Sequence, residues 1–89
     1  MTSRERAIEM ADNVMQSVQR YTREGLPPCY SDFESFLYDF YPDLPWDDAL
    51  NISLQHILTS GKFEVTLDAV QQRFGFDFRA ELHTALAQP

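Results

Sequence analysis

The sequence predicts an all-α domain, a small bundle of four to five short helices, and three observations carry that expectation. Apolar residues recur at i, i+3, i+4 and i+7 in successive windows, the spacing of one helix face. Gly25, Gly61 and Gly75 each close such a window, where a helix C-terminus calls for a left-handed residue. Four of the five prolines (Pro27, Pro28, Pro42 and Pro45) gather in two loops around one short segment. The 89 residues suffice for a single domain, residues 1–89, and a chain of this size buries roughly 60–65% of its unfolded surface.

Helix one is expected over Ser3–Glu24. Thr2 and Glu5 have capping-box spacing, in which hydroxyl and carboxylate each take an orphan backbone donor. Ala7, Ile8, Ala11, Val14, Met15, Val18, Tyr21 and Thr22 share one arc of the helical wheel, with Glu5, Glu9, Asp12, Gln16, Arg20 and Arg23 opposite. Gly25-Leu26-Pro27 stops it. Helix two is expected over Asp32–Tyr41, capped by Ser31 with Glu34 as capping-box partner, and with Phe33, Phe36, Leu37 and Phe40 inward. Tyr38 points outward, and Pro42 ends the helix.

Helix three spans Trp46–Ser60, with Trp46, Leu50, Leu54, Ile57 and Leu58 toward the core. Asp47 and Asp48 fall in its first turn, where the helix dipole favours negative charge. Phe63-Glu64-Val65 alternates like a vestigial strand or a short extended link. Thr66 then caps helix four, Leu67–Phe74, and Asp77 caps helix five, Phe78–Ala87.

The charge is distributed unevenly. From Glu24 to Gly61 there is no Lys or Arg, and Glu24, Asp32, Glu34, Asp39, Asp43, Asp47 and Asp48 carry a charge equal to the whole net charge of −7. Seven of the twelve aromatic residues (Tyr30, Phe33, Phe36, Tyr38, Phe40, Tyr41 and Trp46) share that stretch. Such a balance repels phosphate backbones and anionic membranes, and its complement is a basic protein surface. Solubility alone also accounts for acidity.

With 44% apolar and 24% charged residues the composition is that of a globular chain. The lone Cys29 has no internal disulfide partner, which fits a reducing compartment. The charged, amphipathic start does not read as a signal peptide, and no apolar run approaches the roughly 20 residues of a membrane span. The expectation is a soluble, cytoplasmic domain.

Catalytic chemistry finds little footing. Cys29, His56 and His83 are the nucleophile and imidazole candidates, they lie far apart in sequence, and nothing local marks Cys29 as activated. There is no Gly-rich phosphate loop or zinc-type spacing, and Asp43, Asp47 and Asp48 lack the alternation and glycine of a calcium loop. The expectation is a protein that is not an enzyme and uses no metal and no cofactor.

Residues 66–77, Thr-Leu-Asp-Ala-Val-Gln-Gln-Arg-Phe-Gly-Phe-Asp, followed by another helix, resemble the helix-turn-helix of bacterial regulators. That resemblance implies a small transcriptional regulator using residues 66–87, with Lys62, Arg73 and Arg79 on phosphates. The helix that would enter the groove departs from the pattern, because it carries Asp77 and Glu81 against the single cation Arg79.

The preferred reading is a non-enzymatic protein-binding module. Asp32, Glu34, Asp39, Asp43, Asp47 and Asp48 would meet a basic surface, with Tyr38, Tyr41 and Ile52 supplying contact area. Ile52 enters because it falls opposite the apolar side of helix three. In size and charge the chain is similar to phage- or plasmid-encoded inhibitors of nucleic-acid machinery, including anti-CRISPR and other DNA-mimic proteins. That likeness implies carboxylates in sites meant for phosphates on a nucleic-acid-binding complex, and makes direct nucleic-acid binding by this chain unfavourable. A homodimer through the same surface is left open.

Overall fold

Twenty-two consecutive residues without Gly or Pro form helix α1, Ser3–Glu24, the axis of the fold. At about 1.5 Å per residue it runs about 33 Å, matching the longest dimension of the molecule, 35 Å. The computed structural model describes residues 2–87, the side chain of Trp46 excepted. Four further helices follow: α2 (Ser31–Phe40), α3 (Trp46–Thr59), α4 (Glu64–Phe74) and α5 (Phe78–Ala87). The radius of gyration, 12.4 Å, is close to the roughly 12 Å expected of a folded chain this long.

The most extensive helix pairing is α1 with α3. Small residues make it close: Ala7 and Ala11 on α1, and Ala49 and Ser53 on α3, are all buried. The Ser53 hydroxyl, fully enclosed, donates to the Ala7 carbonyl at 2.7 Å. Further along, His56 Nε2 lies 3.2 Å from Asp12 Oδ1, and Lys62 Nζ lies 3.3 Å from the same oxygen. Contact positions rise together on both helices, so α1 and α3 run in the same sense. α2 returns between them: Tyr41 at its end meets Asn13, and Asp43 beyond it meets Arg6. It is therefore antiparallel to α1.

α4 packs on α1 and α5, and α5 closes the bundle against α3. At the end of α1, Gly25 has φ 81°, and a Cβ there would lie 3.1 Å from the Arg73 guanidinium at the end of α4. The left-handed backbone conformation therefore favours glycine, while the flexible Arg73 end could yield to a Cβ. The core joins all five helices through Met10, Met15, Phe33, Leu37, Leu54, Ile57, Leu67, Val70, Phe78 and Leu82. Phe33 and Phe78 meet with ring centroids 6.1 Å apart, linking α2 to α5.

All five expected helices form, and the differences at their ends have local causes. α1 and α5 have the expected bounds, and the Thr2 hydroxyl accepts the Glu5 N–H at 3.1 Å. The Thr2 hydroxyl in turn donates a hydrogen bond to Glu5 Oε1 at 3.1 Å, a variation on the reciprocal capping box. Asp77 accepts the Ala80 N–H at 3.1 Å as the expected cap of α5.

The expected strand at 63–65 is not formed: Glu64 and Val65 are the first residues of α4, with Phe63 as N-cap. Val65 breaks the helical pattern because it is 82% exposed, an apolar residue on the solvent face that made the segment read as alternating. Thr66 consequently sits inside α4 and does not cap it. Ser31 is likewise the first residue of α2 and no side chain caps that helix, since Tyr30 already has helical dihedrals. Asp32 reaches backward instead, accepting the Cys29 N–H at 3.0 Å.

Phe40 is the largest departure. It is 66% exposed, because α2 ends there and its ring lies on Phe36, 4.7 Å between centroids, rather than beneath a neighbouring helix. Met10, omitted from the expected inner arc, is fully buried. The inward placement expected of the Trp46 side chain lies outside the described residues.

Exposure divides the α2 phenylalanines energetically. Phe33→Ala should cost about 3–5 kcal/mol and lower the thermal midpoint by at least about 12 °C. Phe40→Ala should cost less than about 1 kcal/mol. Thermal denaturation followed by circular dichroism checks both values, and equal losses would contradict the exposed placement of Phe40.

Candidate partner-binding surface

The acidic stretch folds into three parts. On α2, Asp32 and Asp39 stand on the flank toward α1, Glu34 on the other flank, and Tyr38, 71% exposed, between them on the outside. In the loop after α2, Tyr41 and Asp43 turn back onto α1. At the start of α3, Asp47 and Asp48 are exposed in the first turn, where the helix dipole stabilises them.

The middle part is neutralised internally. Arg6 holds Asp43 in a two-pronged ion pair, with Nη2 3.0 Å from Oδ1 and Nη1 on Oδ2. This hydrogen bonding lowers the Asp43 carboxyl pKa below its ordinary value and raises that of Arg6. The Arg6 guanidinium also lies 5.8 Å from the centre of the Tyr41 ring. The Tyr41 hydroxyl accepts from Asn13 Nδ2 at 3.0 Å. Tyr41 and Asp43 therefore fasten the loop to α1 before they serve any partner.

The outer parts are different. Among the described residues, Asp32, Glu34, Asp39, Asp47 and Asp48 form no ion pair. Ile52, half-buried against the core, borders a shallow apolar hollow of about 230 Å³ with Leu44, Pro45 and Ala49, beside Asp48. The structure thus brings Asp48 and Ile52 together and separates them from the α2 acids by the Arg6-bound loop. Tyr30, the remaining tyrosine of the region, is partly buried against the core, stacked on Phe33 at 6.3 Å. Burial raises its hydroxyl pKa, and Glu34 adds to the effect.

Sequence reasoning missed one feature. A cleft of about 280 Å³ opens between α1 and α2, with Val14, Val18, Phe36 and Phe40 giving it apolar walls. Asp32 and Asp39 line its α2 side, and Arg20 and Tyr21 its α1 side. The signal available in the sequence was Phe40, the last apolar residue before Pro42, where a helix runs out of neighbours.

The cation of the last helix is paired within the tail. Arg79 on α5 bonds Glu64 at 2.7 Å and Asp68 at 3.1 Å on α4, and its pKa is raised chiefly by Asp68. With Lys62 on Asp12, two of the three cations that a helix-turn-helix would aim at phosphates are paired within the chain, whereas Arg73, exposed at the end of α4, forms no ion pair among the described residues. The Cys29 thiol is exposed and touches the Ser31 hydroxyl, whereas His56 faces Asp12. No cluster of three His, Cys, Asp or Glu side chains fit for a metal occurs among the described residues. Among the described residues no helix is long and apolar enough to cross a membrane.

The Arg6–Asp43 pair has a pH signature. Because the folded-state pKa of Asp43 is depressed, the pair stabilises the fold above the ordinary carboxyl value near 3.8 and loses that effect as pH falls through the folded-state pKa. Carboxyl NMR should show Asp43 titrating below 3.8 in the native chain and returning toward it in Arg6→Gln. The stability difference between the two proteins should vanish at the acid end of the titration. In comparisons with protein-family models, curated proteins and solved structures, the chain finds no match.

Proposed function

We propose that this protein is a non-enzymatic binding module that docks a basic protein surface through the outer side of α2 and the start of α3. The observation that carries the reading is the state of the α2 carboxylates: among the described residues Asp32, Glu34 and Asp39 have no cationic partner, although other acids on α1 and α4 do. Beside them Tyr38 is 71% exposed. Unpaired carboxylates around a large amphipathic ring supply long-range steering and contact area together. Asp47 and Asp48, with Ile52 beside them, extend the surface.

A basic partner belonging to a nucleic-acid-binding complex fits this chemistry, since carboxylates at phosphate-like positions would occupy its cationic groove. The protein would then act as an inhibitor of the DNA-mimic or anti-CRISPR kind. A transcriptional regulator reading DNA through α5 draws less support, because Arg79 is bound to Glu64 and Asp68.

Affinity capture with the native chain as bait, beside an Asp32→Asn/Asp39→Asn/Asp47→Asn/Asp48→Asn variant, tests the proposal. All four residues are exposed, so the variant should keep the native helical circular dichroism. The native bait should retain basic proteins at low salt and release them at high salt, and the variant should retain at least tenfold less, since about 1.4 kcal/mol lost at the interface is a factor of ten. Retention of the same proteins by both baits, insensitive to salt, would overturn it.

A further inference from the structure

We propose that the cleft between α1 and α2 receives a large apolar side chain from a basic segment of the partner, so that binding is anchored there and not by charge alone. The inference rests on the acidic-surface reading above and names the partner's chemistry more narrowly. Its volume, about 280 Å³, lies just below the range of about 300–1,000 Å³ typical of small-molecule sites. That is room for an inserted side chain, not for a whole helix.

Three features fix the occupant. Phe40 holds its ring open to solvent at the rim, 66% exposed, although the helical pattern of α2 turns it toward α1. It is braced from behind by Phe36, whose ring also contacts Tyr41 at 6.2 Å, so the wall is preformed. Pre-formed aromatic walls lose little rotamer freedom on binding, which is the setting in which a buried anchor contributes most.

Charge then selects among apolar partners. Among the described residues Asp39 on the α2 wall has no ion-pair partner, and Asp32 is engaged only with the Cys29 N–H. The α1 wall carries Arg20, its guanidinium 5.3 Å from the centre of the Tyr21 ring. The cleft is acidic on one side only, so an inserted apolar residue should be flanked by Lys or Arg on the side that lies along α2. A second copy of this chain is a poorer occupant, because each copy carries a net charge of −7.

Fluorescence anisotropy with labelled synthetic peptides separates this inference from the reading beneath it. The probe is an amphipathic Leu/Lys peptide of about four helical turns, with a Ser/Lys peptide of equal charge and a Leu/Gln peptide without charge as comparisons. The Leu/Lys peptide should bind at least tenfold more tightly than either, Phe40→Ala should weaken it about tenfold, and Asp39→Lys should weaken it while leaving the fold intact.

Equal binding of the Leu/Lys and Ser/Lys peptides, unchanged by Phe40→Ala, would overturn the anchored cleft and leave the acidic surface standing. Failure of both cationic peptides to bind at low salt would overturn both. Sedimentation showing a native dimer that Phe40→Ala dissociates would assign the cleft to a second copy and overturn the proposal.

Discussion

The structure depends on the close parallel contact between α1 and α3. Ala7, Ala11, Ala49 and Ser53 are small enough to let the two backbones approach, and Ser53 closes the seam with a hydrogen bond to the Ala7 carbonyl. A hydroxyl with no access to water is costly unless paired, so this contact fixes helix register as well as distance. No buried side-chain polar atom among the described residues is left without a partner. Two parallel helices joined by a short excursion require a returning element between them, and α2 is that element.

This arrangement explains why α2 carries the unusual surface. It is ten residues long and anchored at both ends: Phe33 inserts against Phe78, and the following loop is tied to α1 through Arg6–Asp43 and Asn13–Tyr41. Between those anchors it contributes two fully buried side chains, Phe33 and Leu37, and leaves its remaining faces to solvent. Polar and charged residues on those faces cost the core nothing. The same geometry leaves the cleft beside α1, because helix α2 ends at Phe40 before its last turn is covered.

Helix existence was legible in the sequence wherever period and punctuation agreed. Both ends of α1 and the start of α5 were legible because Thr2, Gly25 and Asp77 mark them chemically. The first turns of α2 and α4 were less legible, since Ser31 and Thr66 have the right chemistry for caps but lie inside helices that begin earlier. Val65 misled because an exposed apolar residue imitates a strand. Phe40 misled because periodicity reports direction on a helix and not whether anything stands there.

The acidic surface was legible as composition but not as geometry. The long-range pair between Arg6 and Asp43 spans 37 residues and removes Asp43 from the available charge, which no local pattern reveals. Tyr41 was withdrawn in the same way by Asn13. Charge pairing between distant segments thus narrows a uniform acidic run to two separate patches, one on α2 and one at the start of α3.

Hydrogen exchange of the backbone amides, with and without the partner retained by affinity capture, tests the central claim most directly. Slowed exchange is expected in α2 and the first turn of α3, with α4 and α5 unchanged. Protection confined to α4 and α5 would contradict it and return the tail helices to the functional role.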